Sequence, residues 1–387
     1  MIYGVEGNVN VGKTTFIKKY VKNNNLKILN ETPFLAEASP YDRQIYYINS
    51  EVQKKEKFSL TSAIMDRTIL SVYLYTLISK EFTKKEKINL IQSIQKMIYE
   101  NKVLVPDKLI FITYPFELIN STHNLLSKEK NTQNVLVSYD YYSNYTLFFS
   151  NTLNKKQEKI LNTENNRQII LSDNTSMYYN LQLNEPKINS VILLDGAPAI
   201  GKTTIGKKQI QYDYVPEQNY KKYTISSLDN QIESIIQRIN LLRKNNVLLD
   251  TSFLMGITHL FYSHGRKFSK TQKLDIINKI VNNVPLYLYV TKIIYLYTDI
   301  NTLEFRKNSD KLKPRKHFFS NIQYLNEEIK FYKILNSYMS DISNIYLIEA
   351  SDSTDNIIKE INSKQEKPVF LIDLFYYIIK AIEKGEL

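Results

Sequence analysis

The octapeptides Gly7-Asn8-Val9-Asn10-Val11-Gly12-Lys13-Thr14 and Gly196-Ala197-Pro198-Ala199-Ile200-Gly201-Lys202-Thr203 share one pattern: glycine, four free positions, then Gly-Lys-Thr. They begin 189 residues apart (196 minus 7), close to half of a 387-residue chain that holds only 9 glycines. From residue frequencies, two accidental matches have a chance of roughly 10⁻⁵, so the pair argues for a duplication. Each octapeptide follows a short apolar run, Ile2 to Val5 and Val191 to Leu194, and precedes a stretch with helical periodicity. In such a strand, loop and helix, successive backbone N–H groups and the helix N-terminus surround phosphates, while glycine permits close backbone approach. Lys13 and Lys202 are expected to reach the β- and γ-phosphates of ATP, and Thr14 and Thr203 to hold Mg²⁺. Gly7, Asn10, Gly12, Thr15, Gly196, Gly201 and Thr204 complete the expected ATP sites.

The two halves run in parallel beyond the loops. Strand-like Ile64-Met65 ends in Asp66, and strand-like Val247 to Leu249 ends in Asp250. Later strands are expected at Lys108 to Ile112 and Lys292 to Leu296, then at Gln168 to Leu171 and Ile345 to Ile348. Strands alternating with helices, each half opening on a phosphate-binding loop, predict an α/β fold of two tandem P-loop domains, each a parallel five-stranded sheet flanked by helices. The expected division is a first domain at 1–172, a polar linker at 173–188, a second domain at 189–362 and a helical extension at 363–387.

Composition narrows the chemistry. There are no cysteines, which excludes disulfides, thiolate chemistry and Cys-ligated zinc and suits a reducing compartment. Four histidines, His123, His259, His264 and His317, show no metal-ligand spacing, so no metal beyond nucleotide-borne Mg²⁺ is expected. Met1 leads into an apolar run without a basic leader, and Val369 to Ile379 is interrupted by Asp373. A cytoplasmic protein with no membrane partner is therefore expected. The net charge of +12 and the 30 tyrosines admit a nucleic-acid track, but they better suit a chain biased throughout toward Lys, Asn, Ile and Tyr that attracts a small anionic substrate. The second reading is preferred and the first stays open.

Several motifs resemble the family that joins deoxynucleoside kinases with thymidylate kinases. In the first half these are Glu6-Gly7-Asn8 opening a loop that ends Gly12-Lys13-Thr14-Thr15, then Asn30-Glu31-Thr32-Pro33, Asp66-Arg67-Thr68 with Ser71 beyond, and Pro106-Asp107. In the second half, Asp195-Gly196-Ala197-Pro198 is similar to the acidic opening of herpesvirus-type thymidine kinases, and Pro216-Glu217 stands where a catalytic Glu region belongs. Arg306-Lys307 and Lys311-Leu312-Lys313-Pro314-Arg315-Lys316 resemble a basic lid, and Tyr324 to Tyr332 the helix after it.

The resemblance implies that Glu31 orients and deprotonates a sugar hydroxyl, a poor nucleophile on its own. Lys13, Arg67, Arg306, Lys313 and Arg315 would offset charge on the transferring phosphoryl, and Asp66 and Asp250 would support Mg²⁺ through water. Gln44, beside Arg43, would read the base, and Glu217 would contact substrate.

The halves depart from the pattern in complementary ways. The first has Asn120-Ser121-Thr122-His123 where a lid would begin, with only Lys128 and Lys130 nearby; the second has Asp250-Thr251-Ser252 and so lacks the arginine. At least one active half is expected. The acceptor is expected to be a deoxynucleoside, thymidine first. Alternatives are a thymidylate kinase using Arg43 or Arg238 as an extra cation, a two-step fusion, a polynucleotide 5′-kinase, and a degenerate nucleotide-binding protein. Whether the halves pack as a pseudo-dimer is not legible.

Overall fold

Ile2–Gly7 (β1), Ala63–Asp66 (β3) and Lys108–Thr113 (β4) are short runs with almost every residue buried on both faces, which is what central parallel strands demand. The computed structural model describes all residues outside 34, 36, 59–61, 123–137, 154–156, 165, 174–175, 218–226, 263–267, 310–321, 343 and 351–352, the side chains of 307–309 and 322–324 also excepted. The chain divides into two units, Met1–Lys187 and Ile188–Leu387.

In the first unit the sheet order is β2-β3-β1-β4-β6-β5, with β2 at Lys27–Leu29, β5 at Glu158–Glu164 and β6 at Arg167–Ser172. Strands β2, β3, β1 and β4 are parallel. The expectation of a parallel five-stranded sheet fails here: β6, which contains Gln168 to Leu171, runs antiparallel to β4 and forms a hairpin with β5. Two physical facts account for it. Asn166, in the turn between the strands, takes φ 60°, the left-handed angle a tight hairpin needs. The apolar run with Ile169 and Ile170 takes the interior place beside β4, leaving polar, charged β5 as the edge.

The helices of this unit are Lys13–Asn24 (α1), Pro40–Glu56 (α2), Ile69–Ile78 (α3), Lys84–Tyr99 (α4) and Tyr139–Thr152 (α5); α1 packs on β1 and β3, and α2, α3 and α4 pack on one another. Ser39 caps α2 by accepting the Asp42 N–H, and Thr83 with Glu86 forms a reciprocal capping box on α4. Much of the stretch expected as a linker is tied to this unit. Tyr178 is buried with its hydroxyl 3.0 Å from Thr68 Oγ1, and Tyr73 donates to the Gln182 carbonyl at 2.8 Å.

The second unit holds an all-parallel five-stranded sheet in the order β12-β11-β7-β9-β8: Ile345–Glu349, Lys292–Tyr297, Val191–Gly196, Val247–Asp250 and Asp213–Val215. Its helices are Lys202–Lys208 (α6), Leu228–Asn240 (α7), Phe253–Tyr262 (α8), Lys270–Val281 (α9), Ile300–Ser309 (α10), Ile322–Tyr338 (α11), Thr354–Ser363 (α12) and Leu371–Glu383 (α13). Ile192, Leu194, Leu248, Ile294 and Ile348 from the strands pack with Ile357 and Ile361 of α12 into one core. The C-terminal segment belongs to this unit: Val369–Phe370 (β13) pairs antiparallel with Tyr289–Val290 (β10) and leads into α13, which packs on α9 and α11. Among the described residues, no helix is long and apolar enough to cross a membrane.

Candidate active sites at the two loops

Both octapeptides bend through left-handed backbone at matching steps: Asn10 and Gly12 at φ 59° and 81°, Ala199 and Gly201 at φ 65° and 105°. Gly7 and Gly196 are required by the neighbouring strand. A Cβ on Gly7 would stand 2.7 Å from the Ile112 carbonyl oxygen, and one on Gly196 only 2.4 Å from that of Leu296. Gly12 and Gly201 precede α1 and α6 and offer no side-chain cap. No side chain therefore caps the first turn of α1 or α6, whereas Ser39 and Thr83 cap α2 and α4.

The lysines are buried and curl into their own loops. Lys13 Nζ donates to the carbonyls of Gly7 and Asn8 at 2.9 and 2.8 Å, and Lys202 Nζ to those of Gly196 and Ala197 at 2.6 and 3.1 Å. Burial pulls the Lys13 amine down to about 7, the charge of Arg67 adding to the fall, while Glu31, Glu6 and Asp66 oppose it. A polyanion entering the loop would restore its charge. Thr14 Oγ1 donates to Asp66 Oδ2 at 2.6 Å and Thr203 Oγ1 to Asp250 Oδ2 at 3.0 Å. Each unit thus sets a hydroxyl and a carboxylate side by side, a donor set that fits Mg²⁺ carried by a nucleotide. Thr15 and Thr204 lie exposed on the first helical turns.

Below each loop lies an acidic anchor to which sequence reasoning assigned no role. Glu6 is fully buried and accepts four hydrogen bonds: Thr68 N–H and hydroxyl at 2.9 and 2.7 Å, Ser71 Oγ at 2.6 Å and Tyr145 OH at 2.7 Å. Asp195 is its counterpart, accepting from Ser252 N–H at 2.6 Å, Ser252 Oγ at 2.5 Å and Tyr332 OH at 2.7 Å. These bonds lock the start of the loop to the start of α3 or α8. Burial raises the Asp195 carboxyl, against the pull of its hydrogen bonds to Ser252 and Tyr332. The available signal was an acidic residue immediately before the first glycine in both halves.

The surroundings of the strand-end aspartate differ between the units. Arg67 holds Glu31 with Nε 2.5 Å from Oε1, and its Nη1 donates to Ser71 Oγ at 3.2 Å. Lys13, Thr14, Asp66, Arg67 and Glu31 are thus brought together. Glu217 occupies the register position of Glu31: Lys27 pairs with Ala63 and Asp213 with Val247, and each Glu lies four residues further on. Where the first unit has Arg67, however, the second has neutral Thr251. Arg238 comes near that position from α7, buried and donating to the Ser252 carbonyl at 3.3 Å, beside Pro216, Asp250 and Thr251. Tyr214 OH adds a second donor to Asp250 Oδ2 at 2.7 Å.

Gln44 is buried with its amide nitrogen bound to the Val72 carbonyl and Thr76 Oγ1, and Arg43 donates to the Ala38 carbonyl at 3.1 Å. Arg306 is on the second loop, donating to the carbonyls of Ile200 and Ala350 at 3.2 and 2.7 Å. Lys313, Arg315, His123, Lys128 and Lys130 lie outside the described residues.

No protein-family model and no curated protein matches the sequence. Among solved structures, the deoxyadenosine kinase of M. mycoides with bound dCTP is 19% identical with a TM-score of 0.35, over 44% of this chain and 98% of that one. The thymidylate kinase of Candida albicans is 14% identical with a TM-score of 0.33, over 51% and 94%. NadR in complex with NR is 11% identical with a TM-score of 0.31, over 94% and 96%.

Proposed function

We propose that the chain is an ATP- and Mg²⁺-dependent kinase whose acceptor is the 5′-hydroxyl of a deoxynucleoside, thymidine first, with transfer in the first unit. One observation supports this above the others: the Arg67–Glu31 pair at 2.5 Å adjoins the Thr14–Asp66 contact, so a carboxylate, a guanidinium, a hydroxyl and a buried amine converge on one loop. Glu31, with its side chain 48% exposed, is accessible to a substrate hydroxyl. It accepts the proton as O5′ bonds to the γ-phosphorus and the bond to the β–γ bridging oxygen breaks, releasing ADP. Lys13 leaves the Gly7 and Asn8 carbonyls to meet the β- and γ-oxygens, and Arg67 offsets charge on the phosphoryl in flight. Mg²⁺ bound with the nucleotide supplies further neutralising charge, with Thr14 and Asp66 as its holders.

Arg43 is engaged with a backbone carbonyl of its own helix start, which favours an uncharged acceptor over a monophosphate. For the second unit, Thr251 in place of an arginine favours nucleotide binding without transfer.

The test is transfer from labelled ATP to thymidine and to thymidylate by the unaltered chain, Lys13→Met and Lys202→Met. Label in thymidine monophosphate that vanishes with Lys13→Met and persists with Lys202→Met is expected. Transfer to thymidylate alone, or loss only in Lys202→Met, would reverse the assignment.

A further inference from the structure

Strand register makes the two units comparable residue by residue. Tyr3 pairs with Lys108 and Ile192 with Lys292, each four residues before the loop's first glycine. Fourteen residues after Lys292 stands Arg306, with its guanidinium on the second loop; fourteen after Lys108 stands Thr122, whose hydroxyl turns to the Leu118 carbonyl of its own helical segment at 2.8 Å. That segment, 116–122, contains no basic residue.

A guanidinium nevertheless lies on the first loop. Arg167, the first residue of β6, covers Gly12: a Cβ built there would stand 2.7 Å from Nη2 and 2.9 Å from Cζ and Nη1. Its Cζ sits 5.4 Å from the ring centroid of Tyr114, which supports it from β4's end. Its Nε is buried without a hydrogen-bond partner among the described residues. The reversed strand explains the placement. A parallel strand would begin at the far edge of the sheet, whereas antiparallel β6 begins beside Thr113, the last residue of β4, on the edge where the loop lies.

We propose that Arg167 is a phosphate-contacting residue of the first loop, its planar fork binding oxygens of the triphosphate held by Gly7 to Thr14. The hairpin thereby supplies the cation that Thr122 does not. This rests on the kinase reading of the same loop. An arginine with an unsatisfied buried N–H, set over an aromatic ring and resting on a left-handed glycine, is pre-organised for bidentate phosphate binding at little entropic cost.

The test titrates ATP and inorganic tripolyphosphate calorimetrically into the full chain carrying Lys202→Met, with Arg167, Arg167→Lys or Arg167→Ala. ATP and tripolyphosphate affinity should both fall about ten-fold or more in Arg167→Ala and several-fold in Arg167→Lys, which keeps charge and stem but loses the fork. Arg167→Lys decides alone if Arg167→Ala fails to fold by circular dichroism. Affinities within two-fold of the parent, or a loss confined to ATP that spares tripolyphosphate, overturn the proposal. Thymidine transfer is assayed on the same parent. ATP bound without transfer overturns the proposed acceptor and leaves Arg167 standing, whereas no ATP bound by the parent overturns both.

Discussion

Arg67 and Thr251 share one backbone angle, φ 63°, each one step after the aspartate that receives the loop threonine. Left-handed backbone is costly for a side chain, most of all a β-branched one. The turn is held because the N–H of each donates to the central strand, Arg67 to Val5 at 3.2 Å and Thr251 to Leu194 at 2.9 Å. One turn thus presents a cation in the first unit and a neutral hydroxyl in the second. Because threonine already occupies this turn, Arg67→Thr should fold, and its kcat for thymidine should drop about 10²- to 10³-fold with ATP affinity little changed. A kcat within three-fold of the parent would remove Arg67 from the chemistry.

Tyr145 should be worth somewhat more than Tyr332. Replacing either by phenylalanine removes one donor to a buried carboxylate, an expected loss of about 1–2 kcal/mol in urea unfolding, and Tyr145→Phe also removes the acceptor of the Gly7 N–H at 3.3 Å. Glu6→Ala should cost more, about 3 kcal/mol, since it strands Thr68, Ser71 and Tyr145 without their acceptor. Equal losses for Glu6→Ala and Tyr145→Phe would mean the carboxylate is not the hub of this cluster.

How much of this was legible follows from how local each signal is. The loops are written in residues a few positions apart, and β1, β3 and β4 announce themselves because strands buried on both faces must be continuously apolar. The direction of β6 was not legible: Arg167–Ser172 reads the same in either sense, and its reversal depends on one left-handed asparagine. Tyr145 and Tyr332 lie 139 and 137 residues from their acids, in a chain with 30 tyrosines. No periodicity marks such a contact. Arg167 was missed for both reasons, since only the reversed hairpin brings it to the loop.

Proton uptake on ATP binding tests the first loop directly. The free lysine titrates near 10.5 and buried Lys13 near 7, so between those values the unfolded chain binds a proton that the folded chain lacks. Stability of the first unit therefore rises with pH across that window, and the cost of burying the charged amine is fully present below pH 7. Triphosphate oxygens favour the ammonium form, so ATP binding at pH 8 should take up most of one proton. Calorimetry in buffers of differing ionisation enthalpy reads this number, and Lys13→Met should abolish it. Enthalpies independent of buffer in the parent would place the Lys13 amine away from the phosphates.

Gly206 offers a test in the second unit whose sign can invert. A Cβ at Gly206 would fall 2.1 Å from Cε2 of Tyr214, the residue whose hydroxyl reaches Asp250 Oδ2 at 2.7 Å. The first unit has Ile17 and Ile28 at the matching places and no such hydroxyl. Gly206→Ala should push the ring from the aspartate and destabilise the unit by about 1–3 kcal/mol. With Tyr214→Ala already present the obstacle is gone, and the same substitution should stabilise by up to about 1 kcal/mol, because alanine is the better helix former within α6. The difference between these effects in urea unfolding is the coupling between the two positions. A coupling below about 0.5 kcal/mol would mean the ring moves aside freely, and Tyr214 would then not be what fixes Asp250 beneath Thr203.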